Sequence, residues 1–210
     1  MNERRKTGIS PRKQPVQARS TELVAVILEA AAQVLAKQGA TRFTTARVAE
    51  KAGVSIGSLY QYFPNKAAIL FRLQYDEWQR TTELLRSLLA ESDAPPLQRL
   101  RLLVHAFLRS ECEEAPMRIA LADAAPLYRD APEARAAREA GDRAFEDFMQ
   151  QVLPGVPTPA RALAGDLITT TLSAVGADFS ASPHSEAEIH AQAEAMADMF
   201  AAYLRSLGAS

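Results

Sequence analysis

The chain has 210 residues, 48% of them hydrophobic and 23% charged, which allows a sizeable core and excludes intrinsic disorder as its general state. A single cysteine, Cys112, excludes an internal disulfide and fits a reducing compartment. The net charge of −1 conceals a division: residues 1–66 carry eleven Lys/Arg against four Glu, a net +7, the remainder is at −8, and no lysine follows Lys66.

A basic head on an acidic body points to a polyanion met by the head alone, the alternative being chance surface variation. No stretch approaches the roughly 20 uncharged apolar residues of a membrane span. The basic start MNERRKTG lacks the apolar segment of a signal peptide. The cytoplasm is the expected location.

Residues 1–18 hold Pro11 and Pro15 among scattered basic residues and read as a flexible basic arm, either following a DNA minor groove or a solubilising tail. From about Arg19 to Gln38, Val24, Ile27, Ala31, Val34 and Leu35 fall on one helical face, and Gly39 supplies the stop. Thr44 is placed to cap a helix running to Ala52, which Gly53 breaks. Ser55 is placed to cap a second short helix ending near Phe63-Pro64, and Asn65 a third that runs to about Ala90. Further helices are expected over 96–112, 116–124, 132–152, 158–180 and 185–207. Pro116, Pro132 and Pro159 lie near helix starts, where a missing N–H costs little.

Two short helices around a glycine turn are the minimal DNA-reading design. On a 100° wheel, Ile56, Leu59, Tyr60 and Phe63 of the second helix fall on one side and are expected inward. Gly57, Ser58, Gln61 and Tyr62 fall opposite, a small or hydrogen-bonding set with no acid, suited to phosphates and base edges. Such a pair also occurs in many proteins as plain structure.

The run Phe43-Thr-Thr-x-x-Val-Ala-x-x-Ala-Gly-Val-Ser-x-Gly-Ser-Leu-Tyr-x-Tyr-Phe-x-Asn-Lys66, after an amphipathic helix ending in Gly39, closely resembles the DNA-binding domain of the TetR family of regulators. The likeness covers residues 19–73. It implies an all-α protein: a helix-turn-helix DNA-binding domain over 19–66, then a helical ligand-binding and dimerisation domain over 67–210, with the boundary inside the long helix after Asn65. It also implies a homodimer on a near-palindromic double-stranded operator, with half-sites about 34 Å apart. By position, the family's DNA contacts fall on Thr45, Ser55, Gly57, Ser58, Tyr60, Gln61, Tyr62 and Lys66, with the two tyrosines and the lysine reaching phosphates.

In the body, stripes at helical spacing include Ile168, Leu172, Val175 and Phe179 on one helix and Met196, Phe200, Tyr203 and Leu204 on another. The resemblance makes these a four-helix dimer interface; the alternative is that they bury only core within the chain. Gly165 and Gly176 are expected to allow close packing. Candidates for a pocket holding a small hydrophobic ligand are Tyr75, Trp78, His105, Phe107, Met117, Tyr128, Phe145 and Phe148, each equally suited to plain core.

His105 and Cys112 stand two turns apart and His184 and His190 are remote in sequence, so no metal cluster is expected; no cofactor is expected either. No nucleophile–base pair or phosphate-cradling loop points to an enzyme. The expected function is a sequence-specific transcriptional regulator, a repressor released by a small hydrophobic ligand. An activator, a ligand-independent regulator and a non-specific architectural DNA binder are the alternatives.

Overall fold

The computed structural model describes residues 18–90, 93–128 and 131–209. The basic arm lies outside the described residues except for Ala18. The protein is all-α. In chain order the helices are α1 (Ala18–Arg42), α2 (Thr45–Ala52), α3 (Ile56–Tyr62), α4 (Lys66–Leu89), α5 (Pro96–Glu113), α6 (Ala115–Ala124), α7 (Pro132–Val152), α8 (Thr158–Phe179) and α9 (Glu186–Ser206). A 3-10 turn at Ala125–Leu127, not expected from the sequence, follows α6.

The chain divides into two compact units, Met1–Glu77 with Pro116–Ala136, and Trp78–Ala115 with Ala137–Ser210. In the first, α1 packs on α2 and α2 on α3. The face of α1 read from the sequence is the buried one, with Ile27, Ala31 and Leu35 fully enclosed. Gly39 (φ 69°) breaks the helical run near its end; a positive φ is cheap only for glycine. Phe43, Leu59, Phe63, Ile69 and Leu70 complete this core, each apolar side chain contributing about 1.5–3 kcal/mol of transfer free energy.

Ser20–Arg42 is long and apolar enough, by length and composition alone, to cross a membrane, although Glu22, Glu29 and Lys37 interrupt it. Its apolar stripe is packed into the first unit's core, while Glu22, Glu29 and Lys37 lie exposed. That division is the pattern of an amphipathic core helix.

In the second unit α5 packs chiefly on α9, and also on α8. Leu100, Leu103, Val104 and Leu108 of α5 share one core with Phe145, Phe148 and Met149 of α7, Ala164, Ile168 and Leu172 of α8, and Met196, Phe200 and Leu204 of α9. Close approach of α5 and α8 depends on Gly176: a Cβ there would stand 2.9 Å from the Phe107 ring and 3.1 Å from Glu111 Cγ. The buried Arg99 guanidinium donates to the carbonyls of Leu89 (2.6 Å) and Ala90 (2.8 Å) and to Gln151 Oε1 (3.2 Å), and lies 5.6 Å from the centroid of the Phe148 ring. It thereby satisfies carbonyls that the end of α4 leaves without helical partners.

Candidate nucleic-acid interface

Local chemistry sets the start and stop of each reading-head helix. Thr44 Oγ1 accepts from Arg47 N–H (3.3 Å) at the start of α2, and Gly53 ends it in the left-handed conformation (φ 67°, ψ 28°). Ser55 Oγ accepts from Ser58 N–H (3.0 Å) at the start of α3, and Asn65 Oδ1 from Ala68 N–H (2.9 Å) at the start of α4. All three caps and the glycine break stand where the sequence puts them.

The face of α3 differs from the wheel. Leu59 and Phe63 are buried as expected, but Tyr62 is 6% exposed, whereas Ile56 and Tyr60 are 42% and 40% exposed. The buried arc is therefore centred on Leu59, Tyr62 and Phe63, turned by roughly 60° from the expected one at 100° per residue. A ring at position 62 has more apolar area to hide than the first-turn isoleucine, and the wheel alone does not weigh position along a two-turn helix.

The outer face now holds Ile56, Gly57, Tyr60 and Gln61. Ile56 is the candidate contact that sequence reasoning missed; its place directly after the cap Ser55 was the signal for it. Thr45 Oγ1 and Tyr60 Oη lie 3.1 Å apart, so a hydroxyl pair joins α2 to α3 at the surface. The Ser55 and Ser58 hydroxyls lie 2.8 Å apart, and Lys66 stands exposed on the first turn of α4. Arg47 is committed elsewhere, donating to Gln38 Oε1 (2.8 Å) and the Arg42 carbonyl (2.7 Å).

The expected pocket residues are divided. Tyr75, Met117 and Tyr128 belong to the first unit and Trp78, His105, Phe107, Phe145 and Phe148 to the second. Tyr128 is buried, its hydroxyl donating to Gln74 Oε1 (3.2 Å) and the Leu121 carbonyl (3.1 Å), with Phe71 beside it at 5.8 Å. Burial first, then the charge of Glu77, pushes its phenol well above the ordinary range. Phe145 lines a groove of about 280 Å³ between α7 and α8, with Met149 and Gly165 as further apolar lining and Glu146, Asp147, Arg161 and Asp166 among its polar groups. Cys112 is half-buried, and burial followed by Glu111, Glu186 and Glu113 pushes its thiol up, away from the reactive thiolate.

The expected dimer residues divide by burial. Ile168, Leu172, Met196, Phe200 and Leu204 are at most 5% exposed and serve the second unit's own core. Side chains already enclosed cannot offer an apolar face to a second copy. Val175, Phe179 and Tyr203 are half-buried, and Phe179 stacks on His184 at 3.8 Å. The large apolar side chains exposed on these two helices, among the described residues, are Leu163 and Leu167 on α8 (67% and 51% exposed) and Met199 on α9 (49%). A correction concerns metal ligands: His105 and His190, far apart in sequence, converge with Glu194.

The two capped helices around a left-handed glycine, held by α1 and followed by α4, define a helix-turn-helix DNA-binding unit. The description of bacterial regulatory proteins of the tetR family matches residues 27–73, and that of the tetracycline repressor-like C-terminal domain matches residues 95–207. The chain belongs to the TetR family, and it is a DNA-binding transcriptional regulator rather than an enzyme. It is 40% identical over 84 residues to the nucleoid occlusion factor SlmA of Vibrio campbellii, an alignment covering 39% of this chain and 42% of that one. The chain thus spans about two-fifths of the length of the curated relatives it matches.

Among solved structures, the fatty acid degradation regulator FadR of Bacillus halodurans superposes with a TM-score of 0.69 at 19% identity, covering 89% of this chain and 96% of that one. NalD of Pseudomonas aeruginosa, the secondary repressor of the MexAB-OprM multidrug efflux pump, gives 0.63 at 19% identity, covering 86% and 96%. These likenesses show the fold.

Proposed function

We infer that the protein is a homodimeric repressor in the cytoplasm that holds a near-palindromic operator and is released by a small hydrophobic ligand. The observation that carries the DNA half of this reading is the uncharged exposed face of α3, beside the Thr45–Tyr60 hydroxyl pair and Lys66. On this reading Thr45, Tyr60 and Lys66 take phosphate oxygens, which set register without reading sequence. Ser55, Gly57, Ser58 and Gln61 approach base edges, where glutamine pairs with adenine, and Ile56 is suited to a thymine methyl. Tyr62, being buried, has little surface to offer.

Two copies associate, on this reading, through exposed residues of α8 and α9, among them Leu163, Leu167 and Met199. Ligand release needs only that DNA and ligand prefer different conformations by about 1–3 kcal/mol. The groove between α7 and α8 offers a ligand a place in the second unit, its lining mixing Phe145 and Met149 with Glu146, Asp147, Arg161 and Asp166.

The test is in vitro selection of random duplex DNA by the full chain, with Gln61→Ala/Lys66→Ala in parallel. An enriched palindrome that the double variant fails to recover is the expected result, and loss of the Lys66 phosphate contact should lower the salt slope by about 1. Salt-dependent binding with no enriched sequence would replace this reading with the architectural one. Release is tested by adding hydrophobic compounds to the recovered complex; no displacement by any compound that raises the protein's melting temperature would remove the ligand from the proposal.

A further inference from the structure

We propose that His105, His190 and Glu194 form a binding site for a divalent transition metal of the zinc class, joining α5 to α9. The three residues each offer one ligand atom, and these atoms lie within 4.8 Å of one another. His190 and Glu194 are one turn apart on α9, and His105 faces them from α5, its ring 4.9 Å from that of His190. His105 Nε2 and Glu194 Oε1 lie 2.6 Å apart, within hydrogen-bond distance. All three belong to the second unit.

Two imidazoles and one carboxylate favour borderline ions, whereas magnesium and calcium prefer all-oxygen shells. Three protein ligands and an open fourth position are the arrangement of sites that keep a water or accept an outside ligand. Ligand atoms around a tetrahedral zinc stand about 3.3–3.4 Å apart. The His105–Glu194 pair must therefore open by less than about 1 Å, and the exposed His190 swings inward to close the remaining gap.

A further group supports the set. Arg101 bonds the other oxygen of Glu194, and its second arm bonds Asp198. That fixes the carboxylate with Oε1 toward the imidazoles, the orienting role of outer partners at metal sites. Arg101, Glu194 and Asp198 together carry one net negative charge, so a dication enters a site of opposite sign. Arg101 is a positioning residue here.

Zinc binding is measured by calorimetry on the tag-free, chelator-stripped full chain, and coordination by the visible absorption of the cobalt-substituted protein. One ion per chain, tetrahedral cobalt bands and a raised melting temperature are expected. Outer-shell partners alone alter affinity by about 10–100-fold, so His190→Ala and Glu194→Gln should each weaken binding by about 100-fold or more. His184→Ala, which removes the remaining histidine, should leave it unchanged. Because His190 is exposed, its variant keeps the test valid should Glu194→Gln unsettle the packing of α5 on α9. Absence of zinc binding at millimolar metal, or binding undiminished by His190→Ala, overturns the proposal. None of these readouts involves DNA, so the result stands apart from that of the operator selection.

Discussion

In the first unit the hydrogen bonds that begin α2, α3 and α4 each join residues three apart: Thr44 to Arg47, Ser55 to Ser58, Asn65 to Ala68. In the second unit the polar contacts that accompany the core join residues many turns and several helices apart. Arg99 meets Gln151, 52 residues on, His105 meets Glu194 at 89, and Arg101 meets Glu194 at 93. The reading head is thus specified by signals each residue carries to its near neighbours. The body is specified by which helix faces meet, which no short segment determines alone. A substitution in the head should act through local geometry, and one in the body through packing between distant segments.

The largest expected effects come from emptying each core. Phe63→Ala and Phe148→Ala should each cost about 3–5 kcal/mol in urea unfolding. Phe63→Ala should also lower operator affinity at temperatures where the chain stays folded, because α3 loses its anchor; Phe148→Ala should not. Equal losses of affinity would erase the distinction between the units.

Gly176→Ala comes next, at about 1–3 kcal/mol, since its Cβ would overlap the Phe107 ring and crowd Glu111. A neutral result would mean that α5 and α8 yield more readily than a close-packed core should. Gly53→Ala should cost about 1–2 kcal/mol from the left-handed backbone alone, nothing lying within 4 Å of its Cβ position. Asn at the same position should recover part of that. The pair sharpens the contrast: two glycines, one kept for space and one for φ.

The smallest effect is a pH dependence at the start of α9. The Ser185 N–H, then its hydroxyl, hold the Glu188 carboxyl below the ordinary carboxylate range. The folded pKa lies below the unfolded one, so the contribution is present above the ordinary carboxylate pKa and is lost as pH falls through the depressed one. Melting temperatures of Glu188→Gln and the parent should differ at neutral pH and converge in acid. A gap that widens in acid would reverse the sign.

The same contrast explains what could be read in advance. Caps, breaks and helix spans were legible because Thr44, Gly53, Ser55 and Asn65 act within one turn of themselves. The facing of α3 was not, since seven residues leave too few positions for periodicity to separate Ile56 from Tyr62. In the body the stripe through Ile168, Leu172, Met196 and Phe200 was correctly seen as apolar. Periodicity alone does not say whether such a stripe meets its own chain or another. The convergence of His105 with His190 depends on α5 lying against α9, information spread over the whole second unit.

The distribution of lysine has a practical corollary. Lys37, Lys51 and Lys66 are exposed and belong to the first unit, and the second unit contains none. A reagent directed at lysine amines, whether a dye, a cross-linker, a biosensor surface or an acylating metabolite, therefore marks the DNA-binding end and leaves the other unit's side chains untouched. Immobilisation through lysine would tether the DNA-binding unit, whereas reversible acylation would give a chemical means of silencing that unit alone.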